Sequence, residues 1–186
     1  SSPSSIIKIF IPFMKSGFVD EYGKFHQSNH KYDIPIWEVL NEVDYEHSMT
    51  PEQYTKRYDA IVSSIRRVQP KMQFVGLALA GTSSIITPIR KPHISIKRHP
   101  QYDWLQYFLN SSNHLPGIPL DWISYHFYGS PSSRTDTVSY LQIFPQADGF
   151  IAEVANKQKI RQALSPRTKT TIDEGNILIF FIQSFF

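Results

Sequence analysis

The 186-residue chain contains no cysteine. That excludes a disulfide framework, a thiolate metal site and a thiol nucleophile, and it does not choose between a secreted and a cytoplasmic setting. A marked excess of charge is also missing. With 19 basic and 16 acidic residues the net charge is +3, and no Lys/Arg run is long enough to make a nucleic-acid surface. Arg66-Arg67 falls inside a helical pattern and reads as a solvated face. Long apolar runs are absent too. Ile6–Met14 and Ile177–Phe186 both fall short of the ~20 apolar residues of a membrane-spanning helix. No nucleic acid and no membrane is expected as a partner. The chain opens on Ser rather than Met and lacks the basic region of a signal peptide, so a processed or truncated product is the expectation. Internal repeats and low-complexity linkers are not visible. The Asn110-Ser111-Ser112 sequon is short enough to arise by chance.

What is present is a globular composition: 41% hydrophobic and 19% charged residues, enough for one domain with a sizeable core. Aromatics at 14% serve a core or a sugar-binding surface equally well. The stretch Ile34–Glu42 stands out. Its β-branched and aromatic residues predict a strand, and it closes on a polar pair, Asn41-Glu42. Lys169–Glu174 repeats the device with Asp173-Glu174. A buried strand ending in an acid delivers a carboxylate to the mouth of a sheet, where α/β folds place their chemistry.

Between these two lie further elements. Gly17–Lys31 is polar and predicts a loop. It holds His26 and His30 at i,i+4 spacing, but without a nearby third ligand, so no metal is assigned. Asp44, Glu46 and His47 read as loop solvation. Thr50-Pro51-Glu52-Gln53 is a helix start, with Thr50 as N-cap, Pro51 at N1 and Gln53 closing a capping box. Tyr54, Tyr58, Ile61, Val62, Ile65 and Val68 then give one apolar stripe, which Pro70 stops. Phe74–Ala80 predicts a strand buried on both faces. A basic loop to about Arg98 follows, then a helix over Pro100–Leu109 with Trp104, Leu105, Phe108 and Leu109 on one side. Leu120–Tyr128 predicts the third strand. A helical stretch runs from Thr137 to Leu164, interrupted at Pro145, with Phe150, Ile151 and Val154 as its stripe.

The order is strand then helix, repeated, which implies parallel strands with helical crossovers. Glu42 and Glu174 are 132 residues apart, across three such units. Eight units of this size would need about 350 residues, within the range of a (β/α)8 barrel. Two carboxylates approaching from separate strands can divide glycosidic cleavage between them. One donates a proton to the leaving oxygen while the other attacks the anomeric carbon.

Trp37–Glu42 with its Asn-Glu ending, Phe74–Ala80, Trp122–Tyr128 with its His-x-Tyr, and Thr170–Glu174 together resemble strands four to seven of the clan A glycoside hydrolases. Within that clan the chain is most similar to family 39, the xylosidase and iduronidase type, or a relative near it. The resemblance covers about residues 17–175. It implies an α/β fold, a partial (β/α)8 TIM barrel of about strands four to seven with their helices. It implies a retaining two-glutamate mechanism with no cofactor and no metal, and a carbohydrate substrate. Glu42 would be the acid/base and Glu174 the nucleophile. Asn41 would bind the sugar 2-hydroxyl, while His126 and Tyr128 would line the sugar site. Trp37 reads as core. Secretion is implied by the resemblance alone.

Other readings stand beside this one. His126 is equally well a satisfied core histidine, and the acids can be rim residues of an unrelated α/β module. A non-catalytic carbohydrate-binding relic is the main alternative function. The pattern also departs from the family. Strands one to three and eight have no counterpart, and 175–186 is apolar where a polar loop is expected. Residues 1–186 therefore read as a single incomplete catalytic domain with atypical ends, 1–16 and 175–186. As this polypeptide alone it is expected to be weakly active or inactive.

Overall fold

A computed structural model describes residues 16–29, 33–80, 101–129 and 143–177. The expectations for Ile6–Met14, His30, the basic loop before Arg98 and the apolar C-terminal run lie outside those residues.

Four strands form one parallel sheet in sequence order: β3 (Ile36–Glu38), β4 (Gln73–Leu79), β5 (Trp122–Gly129) and β6 (Lys169–Ile177). Helices α1 (Pro51–Arg66), α2 (Gln101–Leu109) and α3 (Ile143–Leu164) supply the crossovers, with α2 packed between α1 and α3. This is a curled half-barrel, about four of the eight βα units of the closed fold. Gly17–Lys31 is not all loop. Gly17–Val19 (β1) and Phe25–Gln27 (β2) pair antiparallel around a tight turn. Asp20 makes that turn, its Oδ1 accepting from the backbone N–H groups of Tyr22 and Lys24 at 2.9 Å each.

Helix α1 begins as its sequence dictates. Thr50 Oγ1 accepts from Gln53 N at 3.2 Å, and Gln53 Oε1 accepts from Thr50 N at 3.0 Å. Tyr54, Tyr58, Val62 and Ile65 are buried, whereas Val68 falls beyond the helix and is exposed. In α3, Pro145 occupies the first turn, where no intrahelical donor is needed, so it does not interrupt the helix. Its stripe also differs from expectation: Phe150 is buried, Ile151 is exposed, and Lys157 is buried instead.

The core lies between the helices and one face of the sheet. Tyr54, Tyr58, Trp104 and Phe108 form an aromatic cluster against Phe74, Leu77 and Ile123. Gly76 admits the Phe108 ring, since a Cβ there would sit 2.4 Å from Phe108 Cζ. Asp59 of α1 ties the chain segment after α2 to itself, with Oδ1 2.6 Å from His114 Nδ1 and Oδ2 accepting from Leu115 N at 2.7 Å. Trp37 packs against this core, as its sequence position suggests.

Strand alternation then sorts the two faces. On β5, Phe127 packs at a tilt against Phe150 of α3 and Tyr125 lies under Lys157, so the odd residues face the helices. Ser124, His126 and Tyr128 face the other way, into the half-barrel. Two bulges interrupt this simple order. In β4, Leu77 and Ala78 take positive φ, and the register slips one residue between Gly76 and Leu79. In β6, Tyr125 pairs with Ile172 but His126 pairs with Glu174, so Asp173 is the extra residue.

Candidate active site

The inner side of the sheet gathers three acids around one imidazole, with a fourth, Glu38, beside Asp173. Glu42 arrives from the connection after β3 rather than from the strand itself, which ends at Glu38. Leu40 and Glu42 both have positive φ, 66° and 40°, and they turn the chain sharply there. The Glu42 carbonyl accepts from Tyr45 N and Glu46 N at 2.8 Å each, fixing that turn. The carboxylate is thereby aimed at β5: Glu42 Oε1 lies 3.1 Å from His126 Nδ1.

Glu174 comes from the opposite edge of the sheet. Gln158 of α3 donates to Thr170 Oγ1 at 3.0 Å, so Thr170 faces the helices. Strict alternation from Thr170 would send Glu174 toward the helices as well. The extra residue at Asp173 corrects this and turns Glu174 inward. Glu174 Oε2 lies 3.6 Å from His126 Nδ1, and the Tyr128 hydroxyl donates to Glu174 Oε1. That bond, with burial and the negative charges of Glu174 and Glu42, pushes the Tyr128 phenol up to about 12.

One carboxylate oxygen from each of Glu42 and Glu174, together with a ring nitrogen of His126, lie within 4.8 Å of one another. His126 is 1% exposed, the Glu42 side chain 16% and the Glu174 side chain 43%. The pair is therefore reachable from the open side of the sheet.

Not every expected residue joins the cluster. Asn41 donates from Nδ2 to Glu46 Oε2 at 3.5 Å. His26 pairs with Asp20 at 2.7 Å in the β1–β2 hairpin. Asp44 is a correction to the sequence reading, because its contacts are structural. Its carboxylate accepts from Ala80 N at 2.9 Å and from Gln101 Nε2 at 2.5 Å. Gln101 in turn accepts at Oε1 from buried Lys157, which pairs with Glu153 at 3.0 Å. Burial raises the Asp44 pKa and lowers that of Lys157.

Two acids of the inner face had no role in the sequence reading. Glu38 shares that face with Val75 and meets Asp173 across it. Burial, the hydrogen bond to Asp173 and the charges of Asp173 and Glu174 push the Glu38 carboxyl up to about 8. Asp173 Oδ1 lies 3.6 Å from His126 Nε2. Alternation in Ile36-Trp37-Glu38 could have flagged Glu38, since Trp37 reads as core. Nothing local marks the bulge that brings Asp173 and Glu174 to the same side.

A curled parallel sheet with helices on its outer face and paired carboxylates on its inner face is the architecture of TIM-barrel glycosidases. Residues 7–176 match the profile of glycosyl hydrolases family 39, and the chain belongs to that family. A β-xylosidase from Geobacillus stearothermophilus is 23% identical over 165 residues, 87% of this chain. The chain spans 29% of that protein's length. Among solved structures, the family 51 arabinofuranosidase of Xanthomonas axonopodis pv. citri superposes with a TM-score of 0.63 at 13% identity. It covers all of this chain and 36% of its own. The family 51 α-L-arabinofuranosidase of Thermotoga petrophila RKU-1 gives a TM-score of 0.56 at 17% identity, covering 95% and 32%.

Proposed function

We propose that this inner-face centre is the two-glutamate site of a retaining O-glycoside hydrolase acting on a carbohydrate. Glu42 donates its proton to the leaving oxygen as Glu174 attacks the anomeric carbon, giving a glycosyl ester on Glu174. Glu42 then takes a proton from water, which attacks the anomeric carbon and releases the sugar and the Glu174 carboxylate. Tyr128 orients the Glu174 carboxylate, and His126 packs beneath the sugar. Asn41 uses one of its two N–H donors on Glu46 and is assigned the sugar 2-hydroxyl.

One observation carries this reading. One oxygen of each glutamate lies within 4.8 Å of the other's, so the two carboxylates converge on a single gap, as two-carboxylate glycosidic cleavage requires. We take residues 1–186 as one incomplete catalytic domain. The 186-residue polypeptide on its own is accordingly assigned weak or no turnover.

Aryl xylosides and arabinofuranosides are the first substrates to assay, on this chain and on a complete-barrel form that carries it. Turnover by the complete form, lost in Glu174→Ala and restored by azide, is the expected result. Full activity in Glu174→Ala overturns the nucleophile assignment. The non-catalytic alternative expects sugar binding that survives Glu42→Gln, with no hydrolysis in any form.

A further inference from the structure

His126 is buried at the centre of the cluster, and its two ring nitrogens face different acids. Nδ1 lies 3.1 Å from Glu42 and 3.6 Å from Glu174. Among the described residues Nε2 has no hydrogen-bond partner within normal reach, and the acid nearest it is Asp173 at 3.6 Å. Alternation from Thr170 sends Asp173 inward, and the one-residue bulge in β6 brings Glu174 to the same side of the strand. The imidazole thus meets Glu42 and Glu174 on its Nδ1 side and Asp173 on its Nε2 side.

We propose that Asp173 is the positioning residue of His126. It holds the imidazole proton on Nε2 and leaves the Nδ1 lone pair to accept a hydrogen bond from the protonated Glu42 carboxyl. The assignment of the Nδ1 side rests on the acid role given to Glu42 above. In the neutral ring one nitrogen donates and the other accepts, and the donor is fixed by what the other groups offer. An ionised Asp173 can only accept, so it selects Nε2–H. An acid awaiting substrate must keep its proton, so Glu42 donates, and Nδ1 is the acceptor it meets. Glu174, as nucleophile, is ionised and cannot donate to Nδ1, and its Oε1 is engaged by Tyr128. Glu38 closes the set by hydrogen-bonding to Asp173. β4, which also packs against β5, brings no titratable side chain to the ring, as Gln73–Leu79 contains none.

The arrangement predicts a spectroscopic signature independent of turnover. In the ¹⁵N-histidine-labelled chain, long-range proton–nitrogen correlation spectra distinguish a protonated from a bare ring nitrogen. His126 is assigned by its loss in His126→Gln. The expected result at neutral pH is a protonated Nε2 and a bare Nδ1. A proton on Nδ1, alone or together with one on Nε2, overturns the proposal without any Asp173 variant. In Asp173→Val the Nε2–H preference should fall by about tenfold or more, the value of a hydrogen bond to a charged acceptor. Asp173→Asn keeps an acceptor oxygen and should restore it in part. A folded Asp173→Val chain with an unchanged tautomer also overturns it. The correct tautomer, with a complete-barrel form that hydrolyses no glycoside, removes the role given to Glu42 and leaves the Asp173–His126 pairing standing. The wrong tautomer in an active glycosidase removes this inference alone.

Discussion

The Tyr128 hydroxyl donates its hydrogen bond to Glu174, residues on neighbouring strands that share the inner face of the sheet. The bond holds one carboxylate oxygen and leaves the other for the proposed attack on the sugar. Tyr128→Phe removes a hydrogen bond to a charged group, worth about 1.5–3 kcal/mol. If the bond persists to the transition state, kcat/KM of the complete-barrel form falls about 10–100-fold, while circular dichroism stays unchanged. The same contact has a second readout. The Tyr128 phenol stands at about 12 because Glu174 accepts its proton. Glu174→Gln should let it return toward about 10, visible in ultraviolet difference titration against Tyr128→Phe.

Glu38 makes the stability of the fold depend on pH. Its carboxyl is raised from 4.5 to about 8 in the folded chain. Between those values the folded state binds the extra proton and the unfolded state does not. Stability is therefore full below about pH 4.5 from this group and is lost as pH rises through about 8. Glu38→Gln should flatten that decline and raise Tm at pH above 8 relative to the parent. Thermal melts of both chains across this range check it, and parallel pH profiles would contradict it.

Tyr54 repairs the bulge in β4. Its hydroxyl donates to Val39 O at 3.1 Å and accepts from Leu77 N at 2.7 Å, serving two backbone groups that the irregular ladder would leave unpaired. Tyr54→Phe strands both in the core. A loss of about 1–3 kcal/mol in urea unfolding is expected, with no change in slope against denaturant.

Gly76 is a packing requirement rather than a turn. A methyl group there would meet Phe108 Cζ at 2.4 Å. Gly76→Ala should destabilise by about 1–3 kcal/mol. Phe108→Leu should recover part of that loss in the double variant, the non-additivity expected of residues in contact.

Local rules carried the sequence reading far. The capping box of Thr50 and Gln53, the apolar spacing of Tyr54, Tyr58, Val62 and Ile65, and the β-branched strands each act within a few residues, and each predicted its element. The candidate site was legible in part for the same reason: Asn41-Glu42 and Asp173-Glu174 close runs rich in β-branched residues, so the acids stand out. Their orientation was not legible. It depends on an inserted residue in β6 and on positive φ at Leu40 and Glu42, which only the pairing of strands reveals. Lys157 was missed as a core residue because its partners, Gln101 and Glu153, become neighbours only after α2 and α3 pack. The β1–β2 hairpin was missed because two three-residue strands are too short to show a period.

The chain of contacts from Lys157 through Gln101 to Asp44 ends two residues from Glu42. It anchors the tether of the proposed proton donor to helices on the far side of the sheet. A survey that scores variants by lost turnover would thus flag Lys157 and Gln101 alongside groups that touch sugar. Separating the two kinds requires asking whether the defect follows the sugar or the leaving group, since a misplaced proton donor slows poor leaving groups far more than activated ones.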